Sequence, residues 1–326
     1  MHLSPGIEQA MISFEEAKDL LTRLVPSPRQ TTVNILESLG CVIAEDAVSD
    51  INMPPFNKSA MDGYAVISKD TASVPCELEV VEDLPAGRFP EGRVSHGQAA
   101  RIMTGAPVPP GADAVVMVED TQSLSPGRVR ILKPASRGQH ICTMGEDLKV
   151  GDVIIKRGSV IRPPEVGVLA AIGRQRVKVY KRPRIAMIST GDELVKINRT
   201  PAQGQIRDSN GYSIGAQIQA MRLGYDYLGI ARDTMRQLRT KIAEGLRRDV
   251  LIISGGVSVG EYDLVVKALQ AEGVKEIFHH VLIKPGRPFY FGMRGRKRVF
   301  GLPGNPVSTL IIFEVFIRPF LWLMQA

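Results

Sequence analysis

Asp249-Val-Leu-Ile-Ile253 runs directly into Ser254-Gly-Gly-Val-Ser-Val-Gly-Glu-Tyr-Asp263, and the reading of this stretch decides the fold. Its first five residues have the length and β-branched content of a buried strand. The glycines that follow let backbone N–H groups turn outward where a Cβ would clash. Helix-compatible sequence resumes at Asp263. Strand, glycine turn and helix start together make an anion cradle at the carboxyl edge of a sheet. The spacing is neither a Walker A, which needs Gly-Lys-Ser/Thr, nor Gly-x-Gly-x-x-Gly. The expected anion is therefore not a nucleotide held in the standard manner.

The same grammar extends outward. A buried-type strand over 184–189 leads into Thr190-Gly-Asp-Glu193, and a helix is expected over 209–223. A second strand over 225–231 ends at Asp233, with a helix over 237–247. Beyond the glycine turn come a helix over 262–271 and a hairpin of 289–293 with 297–300. Gly301-Leu-Pro-Gly-Asn-Pro306 then opens the last helix. Strands alternating with helices predict a three-layer α/β domain with a mainly parallel sheet over 179–326. Ligands of such sheets bind beyond the carboxyl ends of the strands. Upstream, 51–134 is rich in Pro and Gly with short strand-like pieces, which predicts an inserted β-rich domain. Residues 1–50 with 135–178 form a mixed α+β linker or dimer domain. It is expected to carry helices over 13–24, 31–39 and 164–172, the first opened by a Ser13/Glu16 capping box.

Composition bounds the function. The 326 residues suffice for several domains, and 44% apolar with 23% charged content is ordinary for a soluble globular chain. The apolar run over 310–324 contains Glu314, Arg318 and Pro319 and reads as a closing core helix, so no membrane partner is expected. Cys41, Cys76 and Cys142 are scattered, which argues against a disulfide framework or structural zinc and for a cytoplasmic protein. Residues 181–326 hold 22 Lys/Arg and 12 Asp/Glu, a net +10. A basic half of this kind suits an anionic ligand. No helix-turn-helix or RNP-like pattern accompanies it, so nucleic acid is not expected. Arg294-Gly-Arg-Lys-Arg298 reads as a solvated hairpin.

Three strand ends carry unusual loops, so Glu193, Asp233 and Asp263 are expected to converge on one edge. Carboxylates beside phosphate-binding backbone suggest Mg²⁺, which takes oxygen ligands and phosphates. Each taken singly also reads as a helix cap or first-turn acid. Lys284-Pro-Gly-Arg-Pro288 puts a point charge, Lys284, and a forked donor, Arg287, on one stiff turn. Val307-Ser308-Thr309 offers donors at the last helix start. Within the insert, Asp62 precedes a glycine near Lys58 and Ser59, and Thr104 tips a strand; beyond it, Gly145-Glu-Asp147 is an acidic turn.

These motifs occur together in one order: Met53-Pro-Pro-Phe-Asn-Lys-Ser-Ala-Met-Asp-Gly-Tyr-Ala65, Arg101-Ile-Met-Thr-Gly-Ala-Pro107, Gly111-Ala-Asp-Ala-Val-Val116, Gly145-Glu-Asp147, Ser189-Thr-Gly-Asp-Glu-Leu194, Ser254 to Asp263, Lys284 to Pro288, and Leu302-Pro-Gly-Asn-Pro-Val-Ser308. The set resembles the MoeA-type molybdopterin molybdenumtransferases and the gephyrin E domain, over almost the whole chain. The C-terminal half alone also resembles MogA-type adenylyltransferases and CinA-like proteins. The resemblance implies a homodimer with its site between the α/β domain of one subunit and the insert of the other. The implied reaction inserts molybdate into adenylylated molybdopterin and releases AMP, assisted by Mg²⁺, with a MogA-type adenylyltransferase as a partner that supplies substrate. It implies catalytic roles for Asp62, Thr104, Asp147, Glu193, Asp233, Asp263 and Lys284. The metal ligands implied are Glu193, Asp233 and Asp263. Contacts to the pterin compound are implied for Thr190, Asp192, Ser209, Asn210, Ser254, Gly255, Gly256, Ser258, Gly286, Arg287, Pro303, Pro306 and Ser308. Two alternatives stay open at this point: a non-catalytic molybdopterin-binding scaffold, and an adenylyltransferase. The chain also departs from the pattern. By the resemblance, the family's small C-terminal β-domain is expected to lie outside these 326 residues, and Cys142-Thr-Met144 and His279-His280 stand where basic residues are usual.

Overall fold

The structure is a computed structural model that describes residues 11–257 and 264–325. It divides into two compact units. One gathers the chain up to Glu45, Arg157–Val166 and everything from Gln175 onward; the other holds Asp46–Lys156 and Gly167–Arg174.

The first unit is built on a six-stranded sheet. Its order is Tyr225–Ala231, Ile185–Thr190, Val250–Ser254, Lys297–Leu302, Pro288–Arg294 and Lys275–His280. The first four strands run parallel, Pro288–Arg294 runs antiparallel to both its neighbours, and Lys275–His280 again runs in the direction of the first four. The central strand Val250–Ser254 is buried throughout, as its unbroken apolar run requires when both sheet faces are covered. On one face lie Phe14–Arg23, Asn210–Ala220 and the helix from Pro306, packed with Phe289, Phe291, Phe300, Phe316 and Phe320. On the other lie Met235–Gly245 and Leu264–Ala271, around Leu238, Ile242, Val265 and Leu269. This is an α/β fold in three layers with a mixed sheet. The helix Pro306–Leu323 is long and apolar enough to cross a membrane by length and composition. Here Ile312, Phe313, Phe316, Ile317, Phe320 and Leu321 are sunk in the core, while Glu314 and Arg318 pair on the outer side.

Three sequence expectations change. The stretch 31–39 is not a helix: Gln30–Asn34 is a strand paired antiparallel with Arg176–Tyr180, and turns follow it. The β-branched run Thr31-Thr32-Val33 favours that ladder, and tertiary pairing overrides the apolar spacing that suggested a helix. The strand Lys275–His280 was not anticipated. It is an edge strand whose charged start and adjacent histidines mask the alternation expected of a strand. The hairpin at Arg294–Arg298 is present, yet Arg298 is buried and clamps the Leu24 and Gly295 carbonyls. The Ser13/Glu16 capping box forms as expected.

The second unit holds its own six-stranded sheet, in the order Ala114–Met117, Gly63–Val66, Gln98–Ile102, Cys76–Leu84, Arg128–Ile131 and Thr121–Ser125. Both faces are covered: Tyr64 and Val66 pack in one cluster, Ala65 in the other. Gly63 is demanded by this packing, because a Cβ there would lie 1.9 Å from the Val116 carbonyl oxygen. The glycine after Asp62 is therefore fixed by a close strand approach.

Candidate functional site

The carboxyl edge of the parallel strands gathers most of the predicted site residues of the first unit. Ser189 and Thr190 end one strand, Ser254 another and Leu302 a third. The return strands place Val281–Arg287 at the same edge, since His280 pairs with Pro288. Ser258 and Asp263 lie outside the described residues.

The glycine turn is forced into shape. Gly255 has φ +92° and Gly256 φ +65°. A Cβ on Gly255 would lie 2.5 Å from the Thr190 carbonyl oxygen, and one on Gly256 would lie 2.4 Å from Val265. Only glycine meets both demands. The Gly255 N–H donates to Leu302 O at 3.0 Å, which ties the turn to the loop at Pro303. Beyond it Asn305 caps the last helix by accepting from Ser308 N–H, with Pro306 at the helix start. Ser308 is thus turned toward its own cap.

Asp208 is almost wholly buried and accepts from three donors: Ser189 Oγ at 3.0 Å, the Gly211 N–H at 3.0 Å and Tyr227 Oη. Burial and the neighbouring Asp208 push the Tyr227 phenol well above its usual range, so it remains a donor. This cluster fixes the start of the helix Asn210–Ala220. Ser209 is exposed there and makes no side-chain cap. Asn210 Nδ2 donates to Ser254 Oγ and to Gly304 O, both at 2.9 Å. Its Oδ1 is buried without a partner, and so is Thr190 Oγ1. Native proteins seldom bury such atoms unsatisfied. Two of them beside a glycine turn leave one hydroxyl and one amide oxygen free to bond a ligand or water.

Asp192, Glu193 and Asp233 form an acidic group at the outer rim. The Asp233 N–H donates to Asp192 Oδ1 at 3.2 Å. Burial, then the charges of Asp192 and Glu193, push the Asp233 carboxyl above the usual aspartate range. Gly191 is pressed against this group, since a Cβ there would lie 2.5 Å from a Glu193 carboxylate oxygen. Among the described residues no three His, Cys, Asp or Glu side chains are arranged to hold a metal ion. Of the predicted trio, Glu193 and Asp233 lie among the described residues and Asp263 lies outside them. Mutual repulsion at Asp233 is what a bound cation relieves, and Mg²⁺ commonly takes one or two carboxylates plus substrate oxygens. The donor set present fits that ion. Lys284 and Arg287 are both exposed on the opposite return loop, and Gly286, with φ +114°, packs against Ile312.

In the second unit, Thr104 donates to Asp62 Oδ1 twice, from its N–H and its Oγ1, each at 2.7 Å. These bonds hold the Asp62 carboxyl below its usual range. Cys142 sits opposite Lys58 in a short ladder, in the electrostatic reach of Glu146 and Asp147. Burial and then Glu146 raise the Cys142 thiol above its usual range. Asp62, Thr104, Lys58 and Asp147 thus belong to one polar neighbourhood, held by Gly105 N–H to Ser59 O and Ser59 N–H to Ala106 O. A separate cavity of about 470 Å³, lined by Tyr64, Arg101, Ser125 and Arg128 among others, contains none of the predicted site residues. Its arginines are already paired with Asp83 and Glu77. Sequence reasoning missed Tyr227, which no local spacing signals; Asp208, expected with Ser209 and Asn210 to cradle the pterin phosphate, has its carboxylate held by protein donors.

Residues 12–173 match the MoeA N-terminal region (domain I and II), and residues 186–322 match a probable molybdopterin binding domain. A molybdopterin molybdenumtransferase of Haemophilus influenzae is 35% identical over 317 residues, covering 97% of this chain and 78% of the relative. Molybdopterin molybdenumtransferase 1 of Mycobacterium tuberculosis is 36% identical over 336 residues, covering 96% and 78%. The solved molybdopterin biosynthesis MoeA protein of Pyrococcus horikoshii superposes with a TM-score of 0.83 at 35% identity, covering 97% of this chain and 80% of that one.

Proposed function

Since the chain belongs to the MoeA-type molybdopterin molybdenumtransferase family and is an enzyme of molybdenum cofactor biosynthesis, we propose that it inserts molybdate into adenylylated molybdopterin and releases AMP. The observation that carries this reading is the pair of unpartnered buried atoms, Thr190 Oγ1 and Asn210 Oδ1, beside the Gly255-Gly256 turn. Asn210 Oδ1 accepts an N–H, Thr190 supplies a hydroxyl, and the turn presents backbone to phosphate.

Each step falls to residues of suitable chemistry. Lys284 and Arg287 attract the molybdate dianion. The dithiolene sulfurs come from the substrate, so no protein thiol is needed, and Cys41, Cys76 and Cys142 are all free. Glu193 and Asp233 would hold Mg²⁺, which when bound polarises the phosphoanhydride. Asp62, kept ionised by Thr104, can take a proton from a dithiolene thiol as its sulfur bonds molybdenum and pass it to the departing oxo group, which leaves as water. Asp147 and Lys58 set the local charge around it. The finer reading includes a homodimer in the cytoplasm, in which the Asp62 neighbourhood of one copy serves substrate held at the sheet edge of the other. A MogA-type adenylyltransferase supplies the adenylylated substrate.

Thr190→Val tests the carrying observation. It removes a buried hydroxyl that the folded protein leaves unpaired, so stability rises by about 1 kcal/mol. KM for adenylylated molybdopterin should increase at the same time. A variant whose KM is unchanged would remove Thr190 from the substrate site.

A further inference from the structure

The edge strand Lys275–His280 ends in two adjacent histidines. On a regular strand consecutive side chains point to opposite faces. Here the register slips between Phe278 and His280, and the two imidazole rings lie together, 4.6 Å apart and tilted by 32°. Bulges of this kind re-aim side chains beside binding sites. Both rings are buried. His279 Nε2 lies 3.1 Å from the carbonyl oxygen of Val257, next to the Gly255-Gly256 turn. A carbonyl only accepts, so Nε2 carries the proton. His280 lies across the ladder from Pro288, which places it beside Arg287. Its Nε2 is buried with no partner, as is the hydroxyl of Tyr290, whose ring meets His279 edge-on at 5.5 Å. The pair therefore stands between the glycine turn and the cationic turn.

We propose that His279 and His280 are binding residues for the oxyanion substrate: His279 positions the glycine turn, and His280 takes up a proton when a dianion binds at Lys284 and Arg287. This rests on the reading of that turn as the molybdate site. The charged or titratable groups acting on His280 among the described residues are His279 on its own strand and Arg287 on the following turn; Tyr290 on the adjacent strand meets the His279 ring instead. The segment 11–13, whose Ile12 N–H donates to His280 O, brings no titratable side chain.

The sign follows from charge. Burial, His279 and Arg287 lower the free His280 below its ordinary value, so it is neutral at pH 7. A dianion beside it favours the charged form and raises that value. Between the free and the bound value, binding consumes a proton, and affinity rises as pH falls, by at most about tenfold per pH unit for one proton.

The test is titration calorimetry of the purified full chain with molybdate from pH 6 to 8.5, in buffers of differing ionisation enthalpy, for wild type, His280→Gln, His280→Met and Lys284→Ala. The inference expects wild type to bind with net proton uptake and to bind more tightly at lower pH. Both His280 variants should lose the uptake and flatten the pH profile. Wild-type binding that depends on Lys284 but consumes no proton would overturn the proposal while keeping the molybdate site; that result needs no folded variant. Wild-type binding unaffected by Lys284→Ala, or no binding at all, would overturn the molybdate site and the proposal with it.

Discussion

At the scale of single residues, the site is a set of groups whose ordinary behaviour is altered by neighbours. Asp62 is held ionised by two bonds from Thr104, while Asp233 is pushed the other way by burial and by Asp192 and Glu193. A carboxylate must be ionised to hold a cation, so activity that needs Asp233 falls as pH drops through its raised value. Added Mg²⁺ lowers that value and moves the acid limb to lower pH. Asp233→Asn should remove both the limb and its Mg²⁺ dependence, lower kcat by about 10²-fold or more, and raise the thermal midpoint by relieving repulsion. A pH–rate profile at two Mg²⁺ concentrations checks this. The sequence carried the identity of these carboxylates, because Asp192, Glu193 and Asp233 follow strand ends and Asp62 stands before a glycine in an irregular polar stretch. Their unequal titration was not legible, since it depends on which of them are close across different loops.

At the scale of elements, the glycine turn was legible because its cause is local: a five-residue apolar strand followed by residues without Cβ. What forbids a side chain there is not local. Thr190 and Val265 come from a neighbouring strand and the next helix. Gly256→Ala places a Cβ against Val265 at a φ of +65° and must displace the turn. The expected result is a tenfold or greater rise in KM, about 1.4 kcal/mol of lost binding or more, with circular dichroism unchanged. Unchanged KM would show that the turn does not meet substrate. The stretch 31–39 shows where local reading fails. Its apolar spacing suited a helix, but the segment finds a partner in Arg176–Tyr180, more than 140 residues away. Lys275–His280 was missed for a related reason, because a bulged edge strand with adjacent histidines has no clean alternation.

At the scale of the whole molecule, the chain contains two complete cores, each with a six-stranded sheet, and each carries part of the predicted chemistry. The α/β unit supplies the ligand-binding edge, and the second unit supplies Asp62, Thr104 and Asp147. If two copies share their sites, subunits bearing Asp62→Asn and subunits bearing Asp233→Asn complement one another. Random mixing gives half mixed dimers with one intact site each, so about a quarter of wild-type activity returns from two inactive proteins. Mixtures that remain inactive would place both residues in one subunit's site. The order of motifs made the family legible from sequence, while the buried partners of Asp208 and Asn210 emerged only once the strands were assembled.

The most direct test of the account is AMP release from adenylylated molybdopterin, with and without molybdate in the presence of Mg²⁺, by wild type and Asp62→Asn. The account predicts molybdate-dependent release by the wild type, reduced about 10²-fold or more in the variant while substrate still binds. Binding without release by the wild type, or undiminished release by Asp62→Asn, would contradict it.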